Sequence, residues 1–211
     1  MKQLNSKKHC PSMGNNAVIS HGEIETVFGS ECDYLYWIAL VITGESATSE
    51  ELIRNTSLLL TSGVGVFRDR LVGRVRSVIA RTAVRTVHRI ISSSASSHAT
   101  ASCNHLEHKV LSDEEIRSLY QVNPREVTTE LDPLSRSVLV LRGMQRASIS
   151  DCTLLLAVPR RYIINAYSAA TQWWNCKREH ALKTALNGRL PTGILNAPAH
   201  AHDRSCIQRY N

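Results

Sequence analysis

Apolar residues recur at three- and four-residue steps through much of the chain, the spacing of helices that bury one face. Tyr34, Leu35, Ile38, Ala39 and Ile42 set the pattern of a first helix, and Thr43-Gly44 ends it. A second helix is expected from about residue 49 to residue 60. Ser46 or Ser49 caps it, and Glu50 and Glu51 fall in its first turn, where the helix dipole favours negative charge. Gly63 and Gly65 break it. A third helix, from about residue 68 to residue 91, puts Leu71, Val75, Val78 and Ile79 on one stripe. It also carries Arg68, Arg70, Arg74, Arg76, Arg81, Arg85 and Arg89, so its basic face is either solvated or turned to phosphate or an acidic partner.

Residues 92–102 are rich in Ser and Ala and bury little surface, so they read as a flexible linker and the best domain boundary. Beyond them Ser112 caps a short helix ending near Tyr120, with Asp113, Glu114 and Glu115 in its first turn, and Pro124 marks a turn. Asp132-Pro133 has the form of an N-cap followed by proline at the first helical position. Leu134, Val138, Leu141 and Leu139 supply the buried face of the helix behind it, which runs to about Arg146. Ser148 and Asp151 form a capping box for a helix through Leu156; residues 157–159 interrupt it, and a helix resumes at Arg160 with Ile163, Tyr167 and Ala170 inward. Helix, short turn, helix is the outline of a DNA-reading motif. Trp173 and Trp174 are expected to close a small core.

The expected fold is therefore all-α: two small helical domains joined by a flexible linker, the C-terminal one with a helix-turn-helix. The expected boundaries are a flexible tail at 1–22, an N-terminal helical domain at 23–91, a linker at 92–105, a C-terminal domain at 106–187 and a flexible tail at 188–211. Composition agrees, since 211 residues suit two small domains and the aromatic share of 5% with few Gly and Pro fits helices better than a sandwich. A net charge of +7 favours an acidic partner, through counterion release from phosphates. Cys10, Cys32, Cys103, Cys152, Cys176 and Cys206 form no regular framework, and no apolar h-region follows the lysines of residues 1–9. The thiols are expected to be reduced and the compartment cytoplasmic. No apolar run approaches the roughly 20 residues that cross a bilayer, so no membrane partner is expected.

The chain has no phosphate-cradling Gly-rich loop, G-x-S-x-G or H-E-x-x-H, and no enzymatic activity is expected. Cys103, His105 and His108, and separately His200, His202 and Cys206, are loose sets without a Cys-x-x-Cys pair, so no metal site and no cofactor is expected.

Leu131-Asp132-Pro133-Leu134-Ser135-Arg136-Ser137-Val138-Leu139-Val140-Leu141-Arg142 resembles the helix that leads into the helix-turn-helix of bacterial sigma factors of the small extracytoplasmic-function type. Residues 148–156 sit where that family has its first helix-turn-helix helix and residues 160–167 where it has its recognition helix. Tyr34-Leu35-Tyr36-Trp37-Ile38-Ala39 followed by Thr43-Gly44 is similar to the family's first helix, and Glu50-Glu51-Leu52-Ile53 to the helix that docks on the polymerase clamp. The matches cover about half of the chain in the family's order.

The resemblance implies a transcription regulator that binds core RNA polymerase and double-stranded promoter DNA, with an anti-sigma protein as a further partner. It implies DNA binding by Arg160, Arg161, Tyr162 and Asn165 and polymerase binding by Glu51, Leu52, Arg54 and Asn55. Three departures define an alternative. Arg54, Asn55 and Ser57 stand where the clamp helix usually has Gln, an acidic residue and an aromatic one; Ala157 and Pro159 occupy a turn that favours Gly and Ser; and the recognition helix is expected to present Ile164, Asn165 and Ala166 outward. The alternative is a degenerate sigma-like protein that acts through a protein partner without promoter recognition.

Overall fold

A computed structural model describes residues 21–61, 71–94 and 110–186, and every element among them is helical. The first half comprises α1 (His21–Thr43), α2 (Ser46–Thr61), α3 (Leu71–Thr86) and α4 (His88–Ser94). The second comprises α5 (Asp113–Tyr120), α6 (Pro124–Glu130), α7 (Pro133–Val138), α8 (Ile149–Leu156) and α9 (Arg160–Leu186). The expected tails fall mostly in residues 1–20 and 187–211, and these, with Gly63, Gly65 and residues 95–109 of the linker region, lie outside the described residues.

Gly44 ends α1 in the left-handed region, φ +79°. Its amide donates to the Leu40 carbonyl at 2.7 Å, which satisfies one of the carbonyls a helix end leaves open. Thr43 and Ser49 lock the corner: their hydroxyls are 2.7 Å apart, and Ser49 donates to the Glu45 carbonyl at 2.6 Å. Ser49 is therefore buried at the α1–α2 junction instead of capping. α2 starts a turn earlier than its sequence suggests, which moves Glu50 and Glu51 out of the first turn. The expected third helix is interrupted at Val87, and α4 continues to Ser94, into the start of the expected linker.

The caps of the second half form where the sequence places them. Ser112 and Glu115 cap α5 reciprocally, Asp132 accepts from the amides of Leu134 and Ser135 ahead of α7, and Ser148 and Asp151 cap α8 reciprocally. Pro124 opens α6, with the Asn123 side chain as its cap. α7 then widens into a π-helical segment, Leu139–Met144, and the Gln145 amide reaches back to the Val140 carbonyl at 2.9 Å. Every residue from 134 to 144 is buried, so this is a central helix with no solvent face.

One hydrophobic cluster contains residues of both halves, including Ile38, Ile42, Val75 and Ile91 from the first and Leu119, Leu134, Val138 and Ile163 from the second. α1 packs against α2 and α3 and also against α6 and α7; α4 packs on α7, and α3 and α4 both pack on α8. The Trp37 indole N–H donates to the Val122 carbonyl at 3.0 Å, and the Tyr34 and Trp37 rings meet Tyr120 at 5.3 and 6.1 Å. Arg136, 8% exposed, donates to the Thr128 carbonyl at 3.1 Å, and its Nη2 would lie 2.7 Å from any Cβ at position 44. Gly44 is thus required twice, by its φ and by the guanidinium beside it. No helix among the described residues is long and apolar enough to cross a membrane.

Candidate functional site

The α8–α9 corner is built on buried anchors. Cys152 and Leu156 on α8, Val158 in the turn, and Ile163, Ala166, Tyr167 and Ala170 on α9 all lie in the core. Burial raises the Cys152 thiol to about 11, with the Arg142 guanidinium acting in the opposite direction, so this cysteine is an unionised core residue at neutral pH. Arg142 is itself buried and lies 5.3 Å from the centre of the Tyr167 ring. α8 ends at Ala157 in the left-handed region, φ 51°, a conformation that costs an L residue about 1 kcal/mol or more. Ala157 is one of the two turn positions at which the resemblance implies Gly or Ser, and its positive φ is a geometry that glycine adopts more readily.

α9 opens on Arg160 and Arg161, both exposed. The Pro159 carbonyl accepts from the Tyr162 and Ile163 amides at 3.0 and 3.4 Å, while Pro159 offers no side-chain acceptor to the amides ahead of them. Arg161 donates to the Tyr162 hydroxyl at 2.6 Å and its guanidinium lies 4.6 Å from that ring's centre, so the half-buried tyrosine holds the arginine in place. Asn165 is half-buried. The corner therefore brings two cations together at a helix start, where the macrodipole adds positive potential and suits an anion.

One outward position expected on α9 is corrected. Ala166 is fully buried and Ile164 half-buried, because α9 packs its first turns against α8 and the central helix. On α2, Glu51, Arg54 and Asn55 are exposed at i, i+3 and i+4 spacing and share a face. Leu52 does not share it. It is 5% exposed and packs inward with Ile53, so it belongs to the core and not to a docking surface. Among the described residues the two sets of candidates lie on separate elements, and nothing brings them into one site.

The burial of Arg136 and Arg142 was not expected from the sequence. For Arg142 a signal existed, since 134, 138 and 142 repeat at helical spacing and put it on the core side of its helix. Arg136 gives no such local signal, because its surroundings come from Gly44 and Thr128. The loose Cys and His sets at 103–108 and 200–206 lie outside the described residues, among which no group of metal-binding side chains converges. Trp174 is buried in the core, and Trp173 donates to Glu130 at 2.8 Å. No protein family, curated protein or solved structure matches the chain.

Proposed function

We propose that the chain is a sigma-factor-like transcription regulator in which α8 and α9 form a helix-turn-helix that contacts promoter DNA and the exposed face of α2 docks on core RNA polymerase. The observation that carries this reading is the capped, core-anchored α8, its left-handed Ala157 and the exposed Arg160-Arg161 pair at the start of α9. In this reading residues 23–91 and 106–187 are two sigma-like helical units that share a core, and the protein acts in the cytoplasm without a cofactor. DNA binding is mostly electrostatic, because few side chains near the start of α9 are placed to read base edges.

A second reading keeps the sigma-like fold but assigns it a protein partner and no promoter recognition. The burial of Ala166 and the half-burial of Ile164 and Asn165 favour it. An anti-sigma protein is a partner under either reading. Fluorescence anisotropy with two unrelated duplexes across a salt series separates the two. The first reading expects similar affinities for both duplexes and, for Arg160→Ala with Arg161→Ala, a salt slope lower by about one unit for each phosphate no longer neutralised. A double variant that binds like the parent puts the protein-partner reading ahead.

A further inference from the structure

The segment from Leu71 to Ser94 contains five arginines and no Asp or Glu. Arg76 is turned inward, paired with Glu31 at 2.6 Å and lying 4.2 Å from the centre of the Tyr34 ring. The other four, Arg74, Arg81, Arg85 and Arg89, are exposed, and none of the ion pairs among the described residues uses them. Arg74, Arg81 and Arg85 are spaced by seven and four residues and so share one helix face, which Arg89 continues onto α4. The row is about 22 Å long at the helical rise of about 1.5 Å per residue.

This row borders the helix that leads into the Arg160-Arg161 turn. α3 and α4 both pack on α8. Asp151, in the first turn of α8, is held below the ordinary carboxylate range chiefly by its bonds to Ser148 and also by the charge of Arg81. Ser77 and Arg81 line one cleft of about 110 Å³ with Asp151 and Leu155. Within the row Asp151 faces Arg81 alone, and Arg74, Arg85 and Arg89 stand in no ion pair among the described residues, so an anionic partner would relieve their mutual repulsion. Guanidinium groups match phosphate in a planar, bidentate way. The segment has no Phe, Tyr or Trp, the large rings that best stack an unpaired base or anchor a protein partner, so a duplex backbone fits better than a single strand or an acidic protein.

We propose that the α3–α4 arginine row and the Arg160-Arg161 turn contact the phosphate backbone of one double-stranded DNA segment. This rests on the reading of the α8–α9 turn as a DNA contact. The row alone spans about six base-pair steps of about 3.4 Å each.

The test measures anisotropy of a labelled duplex of about 24 base pairs with the full chain across a salt series. The variants are Arg74→Ala/Arg85→Ala/Arg89→Ala, the same three positions changed to Lys, and Arg160→Ala/Arg161→Ala, each checked for parental thermal unfolding. The row-to-Ala variant is expected to lower the slope of log affinity against log salt by about 3, the row-to-Lys variant to keep the parental slope, and the turn variant to lower it by about 2. A row-to-Ala variant with parental affinity and slope overturns the inference and, if the turn variant is weakened, leaves the α8–α9 reading standing. Failure of Lys to restore the slope also overturns it. A weakened row variant beside an unaffected turn variant overturns the shared duplex and the turn reading together, as does a parent that binds no duplex at low salt.

Discussion

Single residues carry identifiable strain and constraint in this fold. Ala157 holds a left-handed backbone at the end of α8 that glycine adopts without a Cβ penalty. Ala157→Gly should therefore stabilise the protein by about 1 kcal/mol, the left-handed penalty outweighing the added freedom of the unfolded chain. Urea unfolding followed by circular dichroism measures it, and a destabilised variant would mean that the position does not hold positive φ in solution. The family resemblance pointed to this constraint, because the family's turn favours Gly and Ser where Ala157 and Pro159 stand. The burial of Leu52 and Ala166 was not legible in the sequence. Which side of an amphipathic helix meets a partner and which meets the core depends on the neighbouring helices: α2 turns the candidate Leu52 inward, and α9 buries Ala166, which was expected to face outward.

Three helix starts of the second half were the most legible features at the scale of elements, whereas α2 starts a turn earlier than its sequence suggests. The Ser112, Asp132 and Ser148 caps depend on groups two or three residues away, and local sequence contains all of them. The π-helical segment and the interruption at Val87 depend on packing, and the periodicity of apolar residues contains neither. α6 and α9 are joined by Glu130, which accepts from Trp173 at 2.8 Å and from Lys177 at 2.7 Å, while Lys177 also reaches Glu126 at 3.2 Å. The Lys177 hydrogen bond first, and Trp173 second, hold the Glu130 carboxyl below its ordinary range; the bond to Glu130 raises the Lys177 ammonium above its own. The carboxylate's contribution is present above its unfolded-state pKa and lost as pH falls through the lowered folded-state value. That of the ammonium is present below its unfolded-state pKa and lost as pH rises through the raised one. Both are complete at neutral pH. Glu130→Gln should then cost less than about 1 kcal/mol near pH 7, since the pair is solvent-exposed, and the difference from the parent should vanish on acidification. Melting curves from neutral to strongly acid pH give the comparison, and a difference that grows in acid would contradict the assignment.

Over the whole molecule, the all-helical class was legible and the packing of the two halves was not. Two stretches of helical period separated by a Ser-rich segment suggest two cores, whereas Trp37 against Val122 and Tyr120, and Arg136 beside Gly44, are contacts between residues far apart in sequence. A continuous cluster of this kind should unfold as one unit. Far-ultraviolet circular dichroism and tryptophan fluorescence, the latter reporting Trp37 in the first half and Trp173 and Trp174 in the second, should give coincident transitions; two separated transitions would show that the halves melt independently. Under the proposed function, α2 would engage polymerase while the α8–α9 corner reaches DNA. The most direct test incubates the full chain with core RNA polymerase and a labelled promoter-containing duplex and resolves the complexes on a native gel. A ternary complex that requires both proteins and is weakened by Arg160→Ala/Arg161→Ala is the expected result; a core polymerase that neither retains the chain nor gains DNA binding from it would contradict the proposed function.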